Sequence, residues 1–442
     1  MDEFLCSVGI DVGTTTTQLV VSKLQVRNMA SAFAVPELEI RERQVIYRSP
    51  VYFTPLIREQ RVDSAAIREI IESEYARAGI SREQVDTGAV IITGETSRKE
   101  NAAAVLEKLS DLAGDFVVAT AGPHLESVLA AKGAGAVAWS ESTGKRVLHF
   151  DIGGGTSNWA LIEGGEILQT GCLNVGGRLL KLDPLGRVTY VSPVLEKLCK
   201  LNVGDVATVD AVTAVAQLLV RALEMVAGLR SPTELLEKLG TAEAGQARVA
   251  CTGACVISFS GGVADCIENR QDWLAFGDMG PVLGQVIRES RLCSQEYRLG
   301  AETIRATVIG AGAHSAQLSG STVFCRNVEL PLKNLPVVTR AGELCRLDGP
   351  GILSLPGVGE EGYHGICALA DQLAAQIPGP VLVALEEDAA KALGHALALR
   401  LPQNRPILCI DRVRLREGDY LDVGAPVGPA FPVVVKTLIL EQ

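Results

Sequence analysis

Hydrophobic and polar positions in the first part of the chain repeat one theme: a short apolar run, a turn of Gly and Thr, then a second apolar run. Residues 5–10 are apolar and end in Asp11-Val12-Gly13; after four threonines, residues 18–22 resume the apolar pattern. This predicts strand, tight turn, strand. Residues 37–47 mix β-branched and charged positions and predict a third strand. Ile67, Ile70, Ile71 and Tyr75 share one helical face, which predicts a helix over 63–78 closed by Gly79. Residues 89–93 read as an apolar strand. Ser97 to Glu100 form a capping box opening a helix to about Leu112. Residues 116–120 read as another strand, and Pro123 sits where a helix over 124–138 begins. That helix carries Ala130, Ala131, Gly133, Ala134, Gly135 and Ala136, small residues that let it approach a neighbour closely.

The theme then recurs. Residues 146–151 predict a strand, a turn follows, and 158–162 predict its partner. Glu163-Gly164-Gly165 predicts a hairpin into 166–169. Val212, Val215, Leu218, Leu219, Ala222 and Met225 give 194–229 a long helical pattern. Residues 249–259 are β-rich and closed by Ser260-Gly261-Gly262. Residues 304–309 read as a strand closed by Gly310-Ala311-Gly312, with a short helix after it. From about Cys325, Pro and Gly become frequent. A β-α-β pattern follows over 381–385, 386–400 and 407–410, and the chain ends in an apolar run over 433–440. The expected organisation is a first lobe over 1–140, a second over 141–325, and a further α/β module over 326–442 that carries no recognisable chemistry of its own.

The central signal is an internal repeat. Asp11-Val12-Gly13-Thr14-Thr15-Thr16 and Asp151-Ile152-Gly153-Gly154-Gly155-Thr156 share the form D-x-G-x-x-T, each between two apolar strands. One such turn is most simply a hairpin; two copies about one domain apart point to a duplicated α/β domain around a shared cleft. A phosphate chain needs backbone N–H donors at close range, which glycine permits by removing the Cβ and allowing positive φ. Threonine hydroxyls add donors. An ionised aspartate cannot donate to phosphate, and its task is Mg²⁺, which keeps several waters and takes one or two carboxylates. Asp11 and Asp151 are therefore expected at the metal, and Gly13, Thr14, Thr15, Thr16, Gly153, Gly154, Gly155 and Thr156 at the phosphates of a nucleotide.

Composition narrows the field. Of 442 residues, 47% are hydrophobic and 21% charged, an ordinary folded balance for two to four domains. The 45 glycines are about a tenth of the chain, against a usual ~7%. The net charge of −11, the absence of a basic run and 4% aromatics argue against nucleic acid as a partner. The 11 cysteines include no C-x-x-C pair; Cys251 and Cys255 have no partner pair at zinc spacing, so buried thiols in a reducing compartment are expected. The N-terminus lacks a basic segment followed by a long apolar one, and the charge-free apolar stretch 249–264 is too short and too broken by Thr, Ser and Gly for a bilayer. A soluble, cytoplasmic protein with no membrane partner is the expectation.

On these residues the chain resembles the superfamily of actin, heat-shock chaperones and sugar kinases. Asp11 to Thr16 and Asp151 to Thr156 match its two phosphate loops. Phe259-Ser260-Gly261-Gly262-Val263-Ala264 matches its adenosine loop, residues 125–136 its first connecting helix, and 310–318 its second connecting segment, all in the family's order over residues 1 to about 320. The resemblance implies two actin-like ATPase lobes of ribonuclease H-like fold around a nucleotide cleft. It places Gly261 and Gly262 at the adenosine, and Gly310 and Gly312 against either the nucleotide or the hinge. It also sets Glu126 near the attacking water as a catalytic carboxylate beside Asp151. A helix N-terminal carboxylate stabilised by the dipole accounts for Glu126 equally well, and His124 is a weaker candidate.

More closely, the stretch from Ile10 to Gln18, Pro123 to Val128 with Lys132 to Ala136, Ser260 to Asp265, and Ile304 to Gly312 resemble the ethanolamine ammonia-lyase reactivating factors, nearly along the whole length. That resemblance implies an ATP- and Mg²⁺-dependent, chaperone-like function. Ethanolamine ammonia-lyase would be the partner: damaged cobalamin is released so that intact adenosylcobalamin can rebind. Association with a bacterial microcompartment and a homo-oligomer are left open. None of the 5 histidines lies in a D-x-H-x-x-G pattern, so no motif here binds cobalamin itself. Three alternatives remain. One is a reactivase of a diol dehydratase-type enzyme, another a filament or scaffold protein. The third is a small-molecule kinase of the same superfamily, whose general base would come from Glu126, Asp183 or Asp265. With the cleft machinery complete before residue 326, the last module is an expected partner-binding region.

Overall fold

The computed structural model of the chain describes residues 3–13, 16–28, 38–57, 61–93, 118–120, 123–241, 255–314, 316–318, 323–347, 349–357, 362–415, 419–424, 426 and 431–437. The first sheet grows around strand Glu3–Val12. On one side Thr16–Asn28 pairs with it antiparallel, and Leu38–Arg48 pairs antiparallel with that; on the other side Thr87–Ile92 and then Val118–Thr120 add in parallel. The second sheet repeats the order. Val147–Ile152 is flanked by antiparallel Ser157–Glu163 and Glu166–Leu173 on one side, and by parallel Val256–Ser260 and Tyr297–Leu299 on the other. In both copies the central strands are near-continuous apolar runs because both faces are covered; every residue of Thr87–Ile92 and Val147–Ile152 is buried. Gly164 and Gly165 have φ of 57° and 86°, the left-handed pair that a two-residue hairpin requires, and they join the second and third strands of this sheet.

Alternation along the first sheet explains what covers it. Val8, Ile10, Leu19 and Val21 point to helix Ser64–Ala78 and its Ile67, Ile71 and Tyr75. That helix starts where Asp63 accepts from Ala65 N and Ala66 N, both 3.1 Å, and stops at Gly79 with φ 69°. The opposite face, with Leu5, Val20, Leu24 and Ile91, meets Leu129 and also Val308, Ile309 and Ala311. These belong to the helices Pro123–Gly133 and Ala306–His314, which cross between the lobes. The first sends Ala131 onto Val147, Ala160 and Ile162 of the second sheet. Each lobe thus lends a helix to the other.

The crossing is closer than any side chain allows. A Cβ on Gly133 would lie 1.9 Å from the Ala306 carbonyl oxygen, and one on Gly310 2.0 Å from that of Leu129. Gly9, in the central strand, would meet the Val308 carbonyl oxygen at 2.4 Å. This context explains one departure from expectation. The β-branched run at 304–309 predicts a strand, yet helix Ala306–His314 forms, because Gly310 and Gly312 give it a face narrow enough to lie between the sheets. Tertiary contact overrides local preference here.

Two further departures are local. The helix expected over 124–138 breaks at Gly135 (φ 78°) into Pro123–Gly133 and Ala136–Thr143. The pattern over 194–229 condenses into Pro193–Glu196 and Val209–Val226, the latter capped by Thr208. The helix expected over 97–112 lies outside the described residues.

The C-terminal module is an eight-stranded mixed sheet. It recruits Ala316–Leu318 at one edge and Phe324–Arg326 at the other, so its sheet begins about ten residues before 326. Seven strand spacings of ~4.8 Å would span about 34 Å in a flat sheet, whereas six residues reach only about 20 Å. The sheet must therefore curl for residue 318 to connect to 324. Helices Gly362–Gln376 and Ala390–Arg400 cover one face through Leu373, Leu393 and Leu397. The expected strand at 381–385 and those near 407–410 and 433–440 are present as Val381–Leu385, Ile407–Ile410 and Pro432–Thr437; the helix between the first two starts later than expected, at Ala390. Among the described residues nine cysteines are free; Cys172, Cys266, Cys293 and Cys409 are buried as expected, whereas Cys325 and Cys345 are exposed and Cys255 is disulfide-bonded, departing from that expectation.

Gly310→Ala tests the crossing. Overpacking of this kind costs roughly 1–3 kcal/mol, so the variant should unfold at lower urea concentration than the parent with an unchanged slope. An unchanged midpoint would mean that the helices are free to separate.

Candidate nucleotide cleft

Both D-x-G-x-x-T segments are closed by the same hydrogen bond. Gly13 N donates to Thr16 O at 2.9 Å, and Gly153 N donates to Thr156 O at 2.9 Å. In register, Asp11 stands opposite Gln18 and Asp151 opposite Asn158, so an aspartate faces an amide in each copy. Thr14 and Thr15 lie outside the described residues. The first turn is braced from below: Thr54 Oγ1 donates to Gly13 O at 2.8 Å, and Thr17 Oγ1 lies 3.1 Å from Thr54 Oγ1. The second is braced by a glycine pair that sequence reasoning missed. Gly177 N donates to Gly153 O (3.1 Å) and Arg178 N to Gly154 O (2.7 Å), while a Cβ on Gly176 would lie 2.3 Å from Gly154 O. The signal was the Gly176-Gly177 doublet, separated by two residues from the strand Glu166–Leu173, a place where backbone approaches backbone.

The two aspartates are unusual carboxylates. Asp11 accepts from Thr93 Oγ1 at 2.8 Å. Burial pushes its pKa from the ordinary 3.8 to about 7, against the opposing hydrogen bond from Thr93, and the nearby charge of Asp151 adds to the rise. Asp151 is 7% exposed. Burial raises it to about 6, although Ser260 Oγ donates to its Oδ1 and Thr307 Oγ1 lies 3.5 Å from its Oδ2. Behind Ser260 sits His149, fully buried, with Nε2 2.9 Å from Ser260 Oγ and Nδ1 3.1 Å from Ser258 Oγ. Burial lowers its pKa to about 3, so the ring is neutral near pH 7. With Asp151 ionised, the Ser260 proton points to the carboxylate; His149 Nε2–H then donates to Ser260, and Nδ1 accepts from Ser258. His149 thereby supports Asp151 from behind.

The remaining wall comes from strand Val256–Ser260 and the residues just beyond its end. Gly261 takes φ 88°, and a Cβ there would lie 2.3 Å from Ile152 O. Its N–H donates to Thr303 O at 3.0 Å, while Val263 N donates to Ile152 O at 3.2 Å. Gly262 is more open, with Ile304 as the near neighbour at 3.8 Å. Asp265 accepts from Thr303 Oγ1. Between these parts lies a cavity of about 360 Å³. Asp11, Gly13, Thr16, Asp151, Gly153, Gly154, Gly155, Thr156, Gly261 and Gly262 all line it, as does half-buried Glu126 from helix Pro123–Gly133. Further lining residues that sequence reasoning did not single out are Thr93, Arg178, Asp278 and Thr307.

Three candidates fall elsewhere. Gly310 does not line the cavity; it is the helix-crossing glycine, its face filled by the Leu129 carbonyl. His124 is exposed and contacts Thr170 Oγ1 at 2.6 Å. Asp183 accepts from Leu185 N and Arg187 N (2.9 and 2.8 Å) and so closes its own turn.

The site suits a hydrated divalent cation. Among the described residues there is no cluster of three or more His, Cys, Asp or Glu side chains placed to hold a metal. Buried Asp151 and half-buried Asp11, both lining the cavity, are the carboxylates that could hold a divalent cation whose remaining ligands are water. No described helix is long and apolar enough to cross a membrane.

A sheet order used twice, each time turning at D-x-G toward one cavity and joined by exchanged helices, defines the actin-like ATPase fold. Within that fold the family is specific. The sequence profile described as "Ethanolamine utilisation protein EutA" matches residues 3–347 and 353–441, and the chain belongs to this family. The ethanolamine ammonia-lyase reactivase EutA of Salmonella typhimurium (strain LT2) is 41% identical over 468 aligned positions, covering 98% of each chain. That of Escherichia coli (strain K12) is 40% identical, again over 98% of each. Among solved structures, an Aquifex aeolicus member of the Ppx/GppA family covers 70% of this chain and 87% of its own at 16% identity (TM-score 0.39). Ethanolamine utilization protein EutJ from Carboxydothermus hydrogenoformans covers 70% and 89% at 17% identity (TM-score 0.35).

The raised carboxylates give a pH signature. A group that binds its proton more tightly when folded stabilises the fold at low pH and loses that contribution as pH rises through its folded value. Asp11 and Asp151 should therefore withdraw stability between about pH 4 and pH 7, the window set by the ordinary 3.8 and the folded values of about 6 and 7; His149, lowered from 6.5 to about 3, acts in the opposite sense below about pH 6.5, so the carboxylate part is read as a difference between parent and variant. In thermal melting across that window, the melting temperature of the parent minus that of Asp11→Asn should fall as pH rises. A difference that stays constant or grows from pH 5 to 7 would contradict the assignment.

Proposed function

We propose that the chain is an ATP-dependent, chaperone-like reactivase that acts on ethanolamine ammonia-lyase, releasing damaged cobalamin so that intact adenosylcobalamin can rebind. The observation that carries the nucleotide part is the pair of equivalently closed D-x-G-x-x-T segments that bring Asp11 and Asp151 to one cavity. Membership of the family and about 40% identity to two named reactivases across almost the whole chain support the partner.

In this reading Gly13 and Thr16 on one side, and Gly153, Gly154, Gly155 and Thr156 on the other, present N–H and hydroxyl donors to the phosphates. Thr14 and Thr15 join the first group by their place in the motif. Asp11 and Asp151 hold Mg²⁺ directly or through its waters, and the cation, when bound, neutralises charge along the phosphate chain. Gly261 and Gly262 leave room for the adenosine, with Asp265 beside them. Glu126 faces the cavity from the helix that links the lobes and orients the attacking water there. The proton released as water adds to phosphorus passes to this carboxylate while the bond to ADP breaks. Asp183 is occupied with its own turn, which removes one of the general bases that a small-molecule kinase would need.

The mechanical part follows from the hinge. Phosphates gripped by both turns favour a closed cleft, and loss of the terminal phosphate favours an open one. A partner that binds the two states unequally is driven between two conformations of its own. The cytoplasm, with a microcompartment as a further location, fits an enzyme partner of this kind.

The test uses ethanolamine ammonia-lyase inactivated with hydroxocobalamin, to which the protein, Mg²⁺-ATP and fresh adenosylcobalamin are added. Lyase activity should return only with ATP. Asp151→Asn, which removes a charge at nearly constant volume, should keep the fold and lower ATP turnover by at least about tenfold. Reactivation should fall with it. Full turnover by the variant would remove Asp151 from the site, and no recovery by a parent protein that binds Mg²⁺-ATP would remove the lyase as partner.

A further inference from the structure

Among the described residues that line the cavity, Arg178 is the one cationic side chain, set among the carboxylates Asp11, Glu126, Asp151, Asp265 and Asp278. Its position ties together both phosphate turns. Its backbone N–H donates to Gly154 O at 2.7 Å, which fixes it to the second turn. Its guanidinium lies over the ring of Phe53, 5.5 Å from the centroid. Phe53 belongs to Tyr52–Phe53, which pairs with the strand leaving the first turn, Phe53 standing opposite Thr16. A single arginine therefore bridges the lobes at the level of the phosphates.

Its present partners are unequal. Phe53 is 75% exposed, a large ring whose cationic contact comes from the opposite lobe. Asp278 is 7% exposed; its Oδ1 accepts from Gly280 N at 2.8 Å, and its Oδ2 lies 3.2 Å from Arg178 Nε. Asp278 thus keeps a backbone donor when the arginine leaves. A guanidinium offers a planar fork that a terminal phosphate can accept with two oxygens, and its face can stay stacked on an aromatic ring at the same time.

Resting on the nucleotide reading above, we propose that Arg178 is a clasp that senses the third phosphate. It leaves Asp278 for the terminal phosphate of a nucleoside triphosphate while remaining stacked on Phe53. The lobes are thereby drawn together when that phosphate is present and released when it is gone. With a diphosphate bound, the terminal oxygens do not reach the arginine and the Asp278 pair re-forms.

Titration calorimetry of the full chain with Mg²⁺ and either adenylyl imidodiphosphate or ADP measures the preference for the third phosphate. Arg178→Gln should weaken the triphosphate analogue by about tenfold or more and ADP by less than about twofold, the loss expected for a hydrogen bond to a charged group. Asp278→Asn should shift the same ratio the other way, because it removes the carboxylate that competes for the guanidinium. A purely structural role cannot produce that gain. Small-angle scattering on the same samples should show the analogue contracting the parent protein and not Arg178→Gln. If Arg178→Gln fails to fold, the Asp278→Asn ratio decides alone: a rise supports the clasp, and no change or a fall overturns it. Unchanged ratios in both variants, or equal contraction of parent and Arg178→Gln, overturn the clasp while leaving nucleotide binding in place. A parent protein that binds neither nucleotide removes the nucleotide reading, and the clasp with it.

Discussion

The contact between the two connecting helices governs the rest of the molecule. Where Gly133 lies against the Ala306 carbonyl and Gly310 against that of Leu129, two helix backbones touch with no side chain between them. Gly9 and Gly312 extend the same closeness to the central strand of the first sheet. Each helix is also part of the opposite lobe's core, so this contact sets how the two sheets face each other. The meeting of Asp11 and Asp151 across one cavity is its result. Glycine is required at these four places by distance, since none of them takes the positive φ seen at Gly135 and Gly261.

That geometry brings two carboxylates into a poorly solvated space, where neither holds its charge easily. The strain is electrostatic, and surrounding donors moderate it: Thr93 for Asp11, and Ser260 and Thr307 for Asp151, with neutral His149 behind Ser260. A cation resolves the conflict that burial creates, as does a proton when the cation is absent.

Much of this arrangement was legible in the residues. The D-x-G-x-x-T repeat announced both turns, and apolar runs that stop at Asp, Gly or Ser marked the central strands. Asp63 and Gly79 bounded their helix because capping is local chemistry. What escaped was set by partners distant in sequence. Ile304 to Ile309 looks like a strand by its β-branched residues; only the opposing sheet makes it a helix. Gly310 could be read as a nucleotide contact or a hinge contact because glycine serves close approach of any kind, and what approaches it is another helix, at the hinge. Arg178 and Asp278 were silent because an isolated charge says nothing of its neighbours until the chain has folded.

The curled sheet of the C-terminal module leaves the hinge without slack. One residue separates helix Ala306–His314 from Ala316–Leu318, its edge strand, and that strand also lies beside Leu38–Arg48 of the first lobe. The last described strand, Pro432–Thr437, pairs with the same edge. The module is thus mounted on the first lobe as an outrigger on a hull. A rotation of the second lobe by a few degrees, small at the cleft, becomes a wider change in the gap between that lobe and the module's far side. A body held at both places would be pried open with leverage that grows with distance from the hinge.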